Sequence, residues 1–158
     1  MNKLFILLVF SVGINATAQI ATSSTTNSGA TASAIGLQTT ASGVASTAMG
    51  RETLASGSYS TAMGYLTTAS GGSSIAMGRS TSASELYATA MGHETSASGN
   101  SSTATGYKTT ASGASSLAMG KETTAGGDNS IAMGYLTSAS GGSSIAMGRS
   151  TSASELYA

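Results

Sequence analysis

The sequence predicts an all-β fold, a parallel β-solenoid with coils of 14 residues. Two observations predict it. Glycines recur in strict phase along the chain, and methionine keeps one fixed place within the repeat.

The repeat comes first, because periodicity outweighs any local propensity in a chain of this kind. Glycines stand at Gly36, Gly50, Gly64, Gly78, Gly92, Gly106, Gly120, Gly134 and Gly148, each 14 residues after the last. A second glycine follows seven residues later, at Gly43, Gly57, Gly71, Gly99, Gly113, Gly127 and Gly141; Glu85 and Glu155 take its place in two units. With the first glycine as position one, the unit reads G-x-x-T-x-A-S-G-x-x-S-x-A-M. Eight full units run from Gly36 to Met147, a further unit is cut short at Ala158, and a degenerate unit around Gly29, Ala34 and Ile35 precedes them. Residues 65–88 match residues 135–158 except for Thr68 against Ser138, an offset of 70 residues or five units. Duplication by whole coils suits a solenoid, where each coil touches only its neighbours.

Glycine at nearly every seventh residue and abundant Ser and Thr oppose helix. A coiled coil needs two apolar heptad positions, and the repeat supplies one large residue per two heptads. Disorder accounts for the Ser/Gly-rich composition but not for the phase of Met49, Met63, Met77, Met91, Met119, Met133 and Met147, all in the last repeat position. Parallel coils account for both. Each unit is expected to supply two short strands, around S-x-A-M and T-x-A-S. Glycine is expected to serve the turns between them by adopting positive φ. Stacking at roughly 4.8 Å per coil would make about nine coils a rod on the order of 43 Å long.

Alternation along a strand sorts the faces. Ala34, Ala48, Ala62, Ala76, Ala90, Ala104, Ala118, Ala132 and Ala146 form an unbroken rank suited to a narrow interior. The methionines then face outward with a Thr, Ile or Leu two residues earlier, as in Ile75/Met77 and Leu117/Met119. A strand apolar on both faces is expected to be covered on both, which makes the seven methionines the candidate interface between chains. One layer differs, because Thr103 and Thr105 replace that pair with two hydroxyls. In the other strand, Thr at position four shares the inward face with Ala at position six. Where Glu85-Leu86-Tyr87 and Glu155-Leu156-Tyr157 replace the glycine turn, a changed turn is expected, with Leu or Tyr covering the coil edge.

The N-terminus has a separate character. Lys3, the apolar runs Leu4–Phe10 and Val12–Ile14, and the small-x-small string Ala16-Thr17-Ala18 read as a signal peptide over residues 1–18. Residues 19–27 form a lead-in, and residues 28–158 the repeats. The apolar stretch is shorter than the roughly 20 residues that span a bilayer, so no membrane insertion is expected. The formal charge of +0 gives no electrostatic case for nucleic acid.

No catalytic, metal or cofactor site is expected. His93 is the sole histidine and Asp128 the sole aspartate, and no serine is distinguished among dozens. The second repeat position is the candidate surface or ligand stripe: Arg51, Tyr65, Arg79, His93, Tyr107, Lys121, Tyr135 and Arg149. Cations and rings alternate through much of it, which permits stacking at coil spacing. The third position adds the charge run Glu94, Lys108, Glu122.

The strings STAMGRETLASG, SSIAMGRSTSASE and SSLAMGKETTAGG resemble the head repeats of trimeric autotransporter adhesins, the YadA-like head. The resemblance covers about residues 28–158. It implies a left-handed parallel β-roll, a homotrimer about one axis, and display at the outer membrane of a Gram-negative cell. It also implies multivalent adhesion to matrix, host cells or other bacteria, where many weak contacts gain avidity. The chain departs from the family in carrying Met where Ile or Val is usual, and in stopping within a repeat before any stalk or anchor; a head segment is therefore expected. Two alternatives remain open. One is a structural spacer that presents a distal module. The other is an ice-binding array using the ladder Thr39, Thr53, Thr67, Thr81, Thr95, Thr109, Thr123, Thr137 and Thr151, although the ladder is placed facing inward.

Overall fold

A computed structural model of the chain describes residues 24–158, which contain strands and turns and no helix. The expected signal peptide lies outside the described residues. Every coil repeats the same path. In one of them, a five-residue strand Thr61–Tyr65 is followed by a tight turn at Leu66 and Thr67. A two-residue strand, Thr68–Ala69, comes next, and a second turn leads into Ile75–Arg79. The long strands stack into a nine-stranded sheet and the short ones into a ten-stranded sheet. All pairs are parallel at an offset of one repeat, as in Ala62↔Ala76, Met63↔Met77 and Tyr65↔Arg79. The long strand is shifted from its expected bounds. It begins at position twelve and continues through the first glycine to position two of the next unit.

The interior is made of small side chains. The alanines of positions six and thirteen are buried, mostly at 0 % exposure, and the largest fully buried side chain is threonine. The expected inward Thr rank is present, and Ser46, Ser60, Ser74 and their counterparts at position eleven join it. Two strands joined by such tight turns lie too close for anything bulkier between them. The narrowness has a polar consequence. Thr39, Thr67, Thr81, Thr109 and Thr123, among others, hold buried Oγ1 atoms without a hydrogen-bond partner. Two serines differ: Ser102 Oγ accepts from the Gly99 amide at 3.2 Å, and Ser144 Oγ donates to the Gly141 carbonyl at 2.6 Å.

Glycine's role in the turns is not the expected one. Position-one glycines do have positive φ, but they lie within the long strands. In the turns positive φ falls on positions three and ten, and at both the residue is ordinary: Ala45 at 52°, Tyr59 at 61°, Leu66 at 54°, Lys108 at 53°. The left-handed region costs an L-residue about 1–2 kcal/mol, and twenty non-glycine residues of the described chain occupy it. What holds them there is the direction of their amides. Amides of the short strands and the residues after them donate to the next coil, as Thr68 N to Thr81 O and Ser70 N to Ala83 O, both at 2.9 Å. The left-handed residues donate backward, Ser73 N to Ser58 O and Ser80 N to Tyr65 O, both at 2.8 Å. Each interface between coils is thus crossed by bonds from both sides.

The glycines answer a different constraint, close stacking. A Cβ on Gly57, whose φ is unexceptional, would lie 2.0 Å from the Gly71 carbonyl oxygen of the next coil. At position one both demands coincide: Gly64 has φ +128° and a Cβ there would lie 1.9 Å from Gly78 O. Glu85, in the place of a position-eight glycine, keeps the turn path of its neighbours, with Tyr87 left-handed at 59°. The expected change of turn shape is absent. What changes is one bond: Gly71 N and Gly99 N donate to the alanine carbonyl of the next coil at 3.3 Å, and Glu85 N does not. Leu86 does lean over the preceding coil, its side chain reaching to 2.9 Å from where a Gly72 Cβ would be, while staying half exposed.

Candidate functional site

Two outward features merit functional reading, and both are columns generated by the coil register. The first is the outer face of the nine-stranded sheet. Within Thr61–Tyr65, Ala62 points inward and is fully buried while Thr61 and Met63 point outward and are half-buried. The same alternation in every long strand lines up Met49, Met63, Met77 and Met91, then Thr105, then Met119, Met133 and Met147. Beside them runs the position-twelve rank, threonine through much of the N-terminal half and Leu117, Ile131 and Ile145 toward the C-terminus. Ile75 is 37 %, Met119 38 % and Ile145 51 % exposed. These are large apolar groups on a face whose reverse side is sealed by alanine.

The second feature is the ladder at position two. Arg51 and Arg79 lie over opposite sides of the Tyr65 column position, 5.4 and 5.8 Å from the ring centroid. A second run starts at His93, whose ring meets Tyr107 edge-on at 5.2 Å. Lys121 then lies 5.6 Å from the Tyr107 ring and 5.3 Å from Tyr135, and Arg149 5.6 Å from Tyr135. All eight residues singled out in the sequence stand in one column, and the register brings them into two stacked runs. At exposed sites each such contact is worth about 0.5–1 kcal/mol.

The adjoining third position carries surface ion pairs. Arg51 Nε and Glu52 Oε1 are 3.0 Å apart, and Glu94 meets both His93 Nε2 at 3.2 Å and Lys108 Nζ at 3.7 Å. The Lys108 ammonium is held above its ordinary value, first by the Tyr107 phenol and then by the Glu94 carboxylate. The group is fully exposed, so this marks local charge order rather than a reactive amine.

Sequence reasoning missed one cross-coil bond. Asp128 Oδ1 accepts from the Ala114 amide of the preceding coil at 2.8 Å. A lone carboxylate in a turn gives no signal of its partner until the offset of one coil is applied to side chains as well as backbone. Exposed tyrosines at position ten, Tyr59, Tyr87 and Tyr157, were likewise hidden among the variable turn residues. The threonine ladder is closed to any external plane, since Thr39 through Thr137 are at most 2 % exposed; the array that ice binding would need faces the interior. Among the described residues no three His, Asp or Glu side chains converge as a metal site would require, and no helix is long and apolar enough to cross a membrane.

The fold and its surfaces define a β-solenoid with one apolar outer face and one self-stacked polar column. The pattern of the YadA head domain repeat, in its two-copy form, fits residues 28–53, 55–81, 83–109, 111–137 and 139–158. The chain belongs to the YadA head repeat family. No curated protein matches it.

Proposed function

We propose that the chain is a head segment of a trimeric surface adhesin, with three copies packed through the methionine face. The observation that carries this reading is the outer face of the nine-stranded sheet. Its columns of Met, Ile and Leu lie on a solenoid whose own interior holds nothing larger than threonine. So thin a core buries little apolar surface. Closing the outer faces against one another supplies the missing burial, and methionine fills irregular gaps well. Family membership supports the same assembly and an extracellular position, reached through the N-terminal signal peptide.

In this arrangement the position-two ladder and the turns face outward and meet matrix or cell-surface ligands by repeated weak contacts. A second reading, a rod that presents another module, draws support from the ladder itself. Most of its cations already lie against a neighbouring ring, so the column satisfies itself without a ligand. Sedimentation equilibrium of the exported chain tests assembly: a trimer is expected, and a stable, cooperatively folding monomer overturns it. Binding of that trimer to immobilised matrix proteins and host cells, compared with the variant Tyr65→Ala/Tyr107→Ala/Tyr135→Ala, separates the two roles. Loss of binding at unchanged trimer content supports adhesion through the ladder; no binding by the parent supports the spacer.

A further inference from the structure

A solenoid of near-identical coils has a registration problem when it packs against copies of itself. A neighbouring chain displaced by one coil still sets methionine against methionine, because Met49, Met63, Met77 and Met91 repeat at every level. Thr105 alone interrupts this column after Ile35. It pairs in register with Met91 on one side and Met119 on the other, and its companion on the same face is Thr103. We propose that Thr105 sets the axial register of the three chains. The inference rests on the trimeric reading above.

The physics is a difference between matched and mismatched levels. In register, three Thr105 hydroxyls meet at one height, where each both donates and accepts. Displaced by one coil, each Thr105 hydroxyl faces a methionine thioether at its own column position and loses its like partner, a penalty large against the near-zero cost of setting one methionine of that column against another. Thr105 and Thr103 are half-buried in the single chain, so packing against other chains would remove the water that otherwise satisfies them. The polar layer lowers apolar burial at one level and gains uniqueness of alignment, the use of buried polar groups that is best attested.

The chain has no cysteine, so disulfide trapping reads register directly. Full-length chains of two tag lengths, one with Met77→Cys and the other with Met91→Cys, are assembled together and oxidised. Joined tags then report chains one coil out of step. Both tags with Met77→Cys report chains at the same level. In the parent, same-level product is expected to exceed out-of-step product about tenfold. Thr105→Met should bring the two toward parity, and Thr105→Ser should restore the parent ratio. The variant is expected to fold, since methionine occupies the same place in the adjoining coils. A trimer whose ratio is unchanged by Thr105→Met overturns the register role alone. A monomer on sedimentation, with neither product formed, overturns the assembly reading and this proposal together.

Discussion

At position four, from Thr39 to Thr151, a threonine hydroxyl lies buried without a hydrogen-bond partner. The hydroxyl oxygen of Thr67 is buried without a partner, so it contributes desolvation without a bond in return. Thr67→Val keeps shape and removes that penalty; the thermal midpoint should hold or rise, with a gain of about 1 kcal/mol. Gly64 stands at the opposite extreme, where a single added carbon has nowhere to go. Gly64→Ala combines a collision with Gly78 O and a strained φ, and should cost about 3 kcal/mol or more in a chemical denaturation curve. The two substitutions separate the demands on an interior residue. One tests whether polarity inside the coil is tolerated or needed, the other whether the spacing between coils can yield.

At the scale of the coil, the sequence carried the period, the stacking, the inward Ala and Thr ranks and the outward Met column. All of these depend on identity at a fixed phase. It misread the position-eight glycines, which were assigned by conformational freedom when close stacking was the constraint in force; at position one both demands hold. Gly57 and Gly71 are small so that the coils can touch. The residues that do turn left-handed include Glu, Leu, Ser, Lys, Tyr, Ala, Gln, Thr and Asn, a set with no compositional mark, recognisable only once their amides are seen to bond backward. The stripe at position two was legible for the same reason as the core, since stacking converts a sequence rank into a spatial column. Close stacking also decides the outcome at Glu85. Glu85→Gly would regain the amide bond to Ala97 O, a gain of about 1 kcal/mol, against a similar loss to glycine's unfolded freedom. Denaturation midpoints of the two proteins should agree within about 0.5 kcal/mol.

Over the whole molecule, contacts join each coil to the two beside it, so length is free to vary in steps of one repeat. Deleting residues 79–92, one repeat of 14, should leave a cooperative β fold by circular dichroism, whereas deleting only seven of them should abolish it by setting long strands against short ones. The bonds that cross each interface from both sides bear on how the rod carries load. They run along its axis, so a pull on the two chain ends opens them as a zip is opened, beginning at a terminal coil, and the rest of the stack is left intact. In an optical trap, one chain pulled by its ends within the proposed assembly should lengthen in even increments of about 45 Å, one coil released at a time. The backward bonds of the left-handed residues make each release discrete, because the next coil stays latched until its own pair is broken. Under sustained tension such a rod shortens its stack and lengthens its tether by measured amounts, yielding by degrees rather than all at once.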